Sequence, residues 1–199
     1  MGIVKPLDEN DLPSTLLEKI QFFKRSFGVI SSPVKTISYH PKIADAFTNL
    51  NIMVMECKGA VAREFKRLIR YISGKSSGYL YCLAHTILEA ECFGSSKKRL
   101  DKTWKCSIST AFSNEEKTAL DFAFMAASVP NKVTKKLMSQ FKRYWNDSDI
   151  VEIMGVIVLF GFLNRCNDNM GLPLEDLPNE KGEKYLYKTT NWTPGKHRV

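Results

Sequence analysis

Apolar residues recur at helical spacing along most of the chain. Leu16, Leu17, Ile20 and Phe23 follow Pro13-Ser14, and the repeat stops at Gly28. Pro33 opens a short helix or turn, and His40-Pro41 opens a helix predicted to reach Glu56 before the break at Lys58-Gly59. The next helix, from about Ala60 to Ile72, carries Val61, Phe65, Leu68, Ile69 and Ile72 on one side. Ser73 to Gly78 has the composition of a loop. A helix from about Tyr79 to Phe93 stops at Gly94, and Ser96 caps another through Trp104. Ser113-Asn114-Glu115-Glu116 forms a capping box for a helix to about Ser128, which Val129-Pro130-Asn131 ends. Two further helices are predicted, Lys132 to Trp145 and Asn146 to about Asn167. No strand alternation of useful length and no strong internal repeat is present. The pattern predicts a single all-α domain, 1–199, of about eight helices.

The stretch 170–199 reads differently. Gly171, Pro173, Pro178, Gly182, Pro194 and Gly195 punctuate it, which predicts a helix-poor arm. Tyr185, Tyr187 and Trp192 predict that the arm packs on the body or on a neighbouring subunit.

The size suits one domain: 199 residues bury roughly 70% of the unfolded surface, so neither disulfides nor a metal are needed to fold. The net charge of +8 raises the question of an anionic partner. The basic residues are scattered as Lys66, Arg67 and Arg70, Lys97, Lys98 and Arg99, Lys132, Lys135 and Lys136, and Lys142 and Arg143, which read as solvated helix faces. No helix interleaves them with base-reading side chains, so nucleic acid is not expected. No apolar leader follows Met1, and Pro6 stands where myristoylation needs Ser or Thr. The longest apolar run, Ile153 to Leu163, falls short of the roughly 20 residues of a membrane span. A cytoplasmic protein without membrane attachment is expected. Its five cysteines, odd in number and widely spaced, do not form a disulfide framework and mostly read as small buried hydrophobes.

One segment carries candidate chemistry. At about 100° per residue, Cys82, His85, Glu89 and Cys92 share an arc of about 80° on one helix. A thiol and an imidazole three residues apart can meet, and an imidazolium populates the nucleophilic thiolate. The plainer reading is a buried cysteine and an ordinarily hydrogen-bonded histidine. One helix cannot supply a tetrahedral metal site alone, and no metal or cofactor is expected. Cys82 and Cys92 lie about 15 Å apart along the helix and cannot pair.

Glu64-Phe65-Lys66-Arg67-Leu68-Ile69 and Ser77-Gly78-Tyr79-Leu80-Tyr81-Cys82-Leu83-Ala84-His85-Thr86 resemble the carboxymuconolactone decarboxylase and alkyl hydroperoxidase D family, in its peroxidase-related branch. Glu116 to Pro130, Glu152 to Arg165 and Trp192 to His197 extend the resemblance over positions 40–199. It implies an all-helical protein assembled as a dimer, trimer or hexamer. It also implies a dithiol that reduces hydroperoxides, with a Glu and a His relaying protons. Carried over, Cys82 is the attacking thiol, His85 the histidine and Glu64 the carboxylate. Tyr79 replaces the first cysteine, and Thr86 stands where some members have a histidine. A phenol cannot resolve a sulfenic acid. An external thiol reductant, or Cys57, Cys92, Cys106 or Cys166, would have to do so, while Tyr79 supplies a hydroxyl for proton transfer or binding. The expected function is reduction of a small hydroperoxide. The alternatives are proton-transfer chemistry on a small carboxylated substrate by His85 and Glu64, or a non-catalytic oligomer.

Overall fold

The computed structural model describes residues 2–198, which fold as a layered helical body. After 3-10 turns at Glu9–Asp11 and Ser14–Leu16 come α1 (Leu17–Phe27), α2 (Ser32–Ile37), α3 (Pro41–Glu56), α4 (Arg63–Ser77) and α5 (Leu80–Cys92). Then follow α6 (Lys97–Lys102), a 3-10 segment (Thr103–Ile108), α7 (Asn114–Ala127), α8 (Lys135–Phe141) and α9 (Asp147–Met170). The chain is all-α, with no strand among the described residues. None of the described helices is long and apolar enough to cross a membrane.

Helix α4 is the axis of the body and packs against α5, α7 and α9. Every residue from Phe65 to Gly74 is buried, including Lys66, Arg67 and Arg70. This corrects the expectation of a solvated basic face. An unpaired buried charge costs several kcal/mol, so each cation must have a partner. Lys66 pairs with Glu152 at 2.7 Å, Arg67 with Glu56, and Arg70 with Glu89 at 2.5 Å. The two guanidinium groups also lie over Phe93 and Phe160, at 3.7 and 4.0 Å from the ring centres.

The serine-rich stretch is helix rather than loop. Ser73 turns its hydroxyl back to the Ile69 carbonyl, while Ser76 and Ser77 donate to the carbonyls of Phe124 and Ala127 at the end of α7. These bonds replace solvent around the last turn of α4, which ends at Gly78 with φ of 75°. The expected helix from Lys132 to Trp145 is shorter, because the Asn131 side chain accepts from Val133 N–H in a tight turn and Thr134 caps α8.

The C-terminal arm is also more helical than expected. Gly171 ends α9 in the left-handed region. There follow α10 (Asp176–Gly182), a π-turn (Glu183–Tyr187) and the short α11 (Lys188–Thr190). Pro178 sits in the first turn of α10, where its missing N–H costs little. The arm folds back onto α5. Trp192 lies against Gly182, where a Cβ would collide with the indole, and its N–H donates to the Leu80 carbonyl at 3.0 Å.

Candidate active site

Helix α5 presents its chemistry toward α4, α9 and the arm. Gly74 of α4 lets Cys82 and Leu83 approach: a Cβ there would lie 3.8 Å from Cys82 Cβ and 3.6 Å from Leu83 Cδ2. Cys82 is buried, and its Sγ accepts from Asn167 Nδ2 at 3.4 Å. Burial pushes its thiol up to about 11, although the nearby Arg70 cation and the Asn167 hydrogen bond pull the other way. The resting group is therefore a thiol, whereas the sequence spacing predicts a thiolate beside an imidazolium.

The His85 imidazole turns elsewhere. Its Nε2 lies 2.6 Å from Glu175 Oε2, a carboxylate brought in by the arm. Tyr81 O–H donates to both Glu175 oxygens at 3.1 Å, and Ser32 N–H donates to Oε1. Burial works against the charged form of Glu175, but His85 and the backbone N–H groups of Glu175 and Ser32 hold it down to about 2. Tyr81 is pushed well above the ordinary phenol range by burial and by Glu175, so it remains a donor. Its ring stacks on His85 at 4.8 Å and meets His197 edge-on at 5.4 Å. His197 is buried, so the tail does fold back onto this cluster.

A small cavity of about 50 Å³ lies beside these groups. Phe23, Phe27, Phe47 and Phe160 form an aromatic wall; Arg70, Tyr81, His85, Glu89 and Asn167 supply polar atoms. Arg70 Nε and Asn167 Oδ1 are buried without a hydrogen-bond partner. Such atoms cost about 1–3 kcal/mol each when left alone, so they are fit to meet a ligand.

The structure separates the residues that the sequence groups together. Cys82 and His85 both face the interior but bond to Asn167 and Glu175, not to each other. Glu64 is held by Ser95 and by Arg99, with Arg99 Nε at 3.0 Å, and Arg99 in turn binds Glu116. The carboxylate on His85 is Glu175. Tyr79 is the half-buried N-cap of α5 and lines a different groove, with Ser76, Ala127 and Arg165. Only Cys82 and Cys106 of the five cysteines are buried. Sequence reasoning missed Glu175, Asn167, Tyr81 and Arg70. Asn164 and Asn167, one helical turn apart just past the apolar run that ends at Leu163, were the available signal.

No family model and no curated protein matches the chain. Solved structures do. The debrominase Bmp8, as a cysteine-to-alanine variant in complex with 2,3,4-tribromopyrrole, is 25% identical, with a TM-score of 0.87 over 93% of this chain and 98% of that one. Apo Bmp8 gives 26% identity and 0.86 over 92% and 97%. A peroxidase-related protein from Ralstonia eutropha with an alkylhydroperoxidase AhpD core gives 0.78 at 16% identity, over 89% of this chain and 94% of that one. This chain has the alkylhydroperoxidase D fold.

Proposed function

We propose that the protein is a thiol-dependent reductase acting through Cys82, with a small hydroperoxide as substrate. The observation that supports this is the Cys82 thiol, hydrogen-bonded by Asn167, which itself lines the small cavity, and close enough to Arg70 for the cation to offset part of the cost of ionising it. In the proposed step the thiol loses its proton and the sulfur attacks the terminal peroxide oxygen. The O–O bond breaks, Cys82 becomes a sulfenic acid, and the leaving alkoxide takes a proton and departs as alcohol. The His85–Glu175 pair supplies that proton in place of the expected His85–Glu64 relay. An external thiol reduces the sulfenic acid, since Tyr79 cannot.

A second reading is supported by the likeness to Bmp8, which spans nearly all of both chains, together with the aromatic wall. On that reading the cavity opens around a halogenated aromatic ring. One experiment separates them. Purified protein is treated with cumene hydroperoxide or with a brominated pyrrole, in the presence of dithiothreitol. Peroxide loss and a Cys82 sulfenic-acid adduct, both absent from Cys82→Ser, are expected. Cys82-dependent bromide release without peroxide loss selects the second reading. Turnover unchanged in Cys82→Ser, or none with either substrate, overturns both.

A further inference from the structure

A second cysteine sits in a cluster of its own, at the junction of α3, α4 and α9. Cys57 follows the last residue of α3 and is exposed. The Lys66 side chain, fully buried, places its Nζ 3.4 Å from Cys57 Sγ. The same ammonium donates to the carbonyls of Val54 at 2.8 Å and Cys57 at 3.2 Å, and pairs with Glu152 at 2.7 Å. Glu152 Oε1 is itself 4.0 Å from the thiol. Its other oxygen accepts from Val61 N–H at 3.3 Å. Gly59 makes room for this carboxylate, because any Cβ there would overlap it.

The arrangement is built rather than incidental. A lysine ordinarily keeps its charged end in water. Here it is drawn inside by three oxygen acceptors, with a sulfur as its fourth neighbour. The thiol is open to solvent on its far side. A nucleophile that solvent can reach is thus held against an amine that cannot swing away, with a carboxylate beside that amine to take its proton.

We propose that Cys57 and Lys66 form a redox-controlled covalent bridge, a sulfenamide made after oxidation of Cys57 by a hydroperoxide. The Cys57 sulfur takes the terminal oxygen of the hydroperoxide, giving Cys57 sulfenic acid and an alcohol. Lys66 gives one proton to Glu152, and its amine nitrogen then attacks the sulfenic sulfur. The S–N bond forms, the S–O bond breaks, and hydroxide leaves, taking the proton that the attacking nitrogen releases and departing as water. A thiol reductant reverses the bridge, restoring Cys57 and the amine while itself becoming a disulfide. The bridge ties the end of α3 to α4. It leaves the neighbouring Arg67–Glu56 pair in place and holds Met55, which lines the small cavity, through the same turn of α3.

The test is peptide mapping of the full chain after hydroperoxide treatment. The Cys82→Ser variant is used in parallel, so that loss of the proposed enzyme activity does not decide the result. The expected product joins the peptides containing Cys57 and Lys66, resists trypsin after Lys66, is lighter than the unlinked pair by two hydrogens, and reverts with dithiothreitol. It is absent from Cys57→Ser and reduced severalfold in Glu152→Gln. Because Glu152→Gln disturbs packing, its unfolding midpoint is measured alongside, and the wild-type map decides. Cys57 recovered as a sulfenic-acid adduct or a sulfinic acid with Lys66 free, or Cys57 unoxidised, overturns the proposal.

Discussion

His85 meets Glu175 across 90 positions of sequence, Nε2 to Oε2 at 2.6 Å. Two neutral donors, the Tyr81 hydroxyl and the Ser32 amide, converge on the same carboxylate. Glu175 is thereby the group on which α2, α5 and the arm agree, and it contributes to the acid dependence of stability. Its acidity is strengthened to about 2 by the fold, whereas an unfolded glutamate titrates near 4.5. A depressed carboxylate stabilises above its unfolded value and loses that contribution as pH falls through its folded one. Unfolding of the wild type should therefore lose on the order of 3 kcal/mol between about pH 4.5 and pH 2 from this group. Chemical denaturation across that range checks it: Glu175→Gln should be less stable at pH 6 and show a shallower acid dependence.

Cys82 predicts the opposite trend at high pH. Its thiol is held up to about 11, so the reactive thiolate increases with pH and does not level off between pH 8 and 9. The alkylation rate of Cys82 by iodoacetamide, followed by mass spectrometry, should rise through that interval. Asn167→Leu removes the donor to sulfur and should slow it further. A plateau below pH 9 would contradict the burial argument. The sign for stability is also fixed: a thiol kept neutral by folding stabilises below the unfolded value near 9, and that contribution is lost toward 11.

Arg70 and Glu89 predict a pattern of coupling. Replacing Arg70 with Met strands a buried carboxylate and should cost about 3–5 kcal/mol. The double variant Arg70→Met/Glu89→Leu removes both charges and should recover much of that loss. A double-mutant cycle by urea denaturation reads the coupling, and additive losses would refute it.

Gly74 separates two effects of size. A methyl at this position meets its neighbours at ordinary contact distances, and alanine favours helix by roughly 1 kcal/mol. Gly74→Ala should raise the unfolding midpoint. Gly74→Leu must displace Leu83 and Cys82 and should lower stability by about 1–3 kcal/mol. Thermal unfolding of the two variants checks the signs.

These residues also show where the sequence is readable. The limits of α3 follow from Pro41 and the Lys58-Gly59 break, the capping box at Ser113 starts α7 as expected, and α9 starts after Asn146 as expected. Such signals are local: a cap or a proline acts on backbone groups within one turn. Burial of Lys66, Arg67 and Arg70 was not readable, because their partners Glu152, Glu56 and Glu89 come from three different helices. Periodicity reports which way a charge points, not what waits there. Glu64 and Glu175 illustrate the same limit. Both are isolated glutamates in sequence, and only the return of the arm selects the second as the partner of His85.

The fold-back of the arm has a consequence for synthesis. Tyr81 and His85 are translated well before Glu175, Trp192 and His197. The body can collapse around α4 while the ribosome is still working, but its histidine has no carboxylate partner until the arm emerges. The cluster is therefore completed only after the body, and a chain released before the arm would carry Cys82 on its scaffold without Glu175.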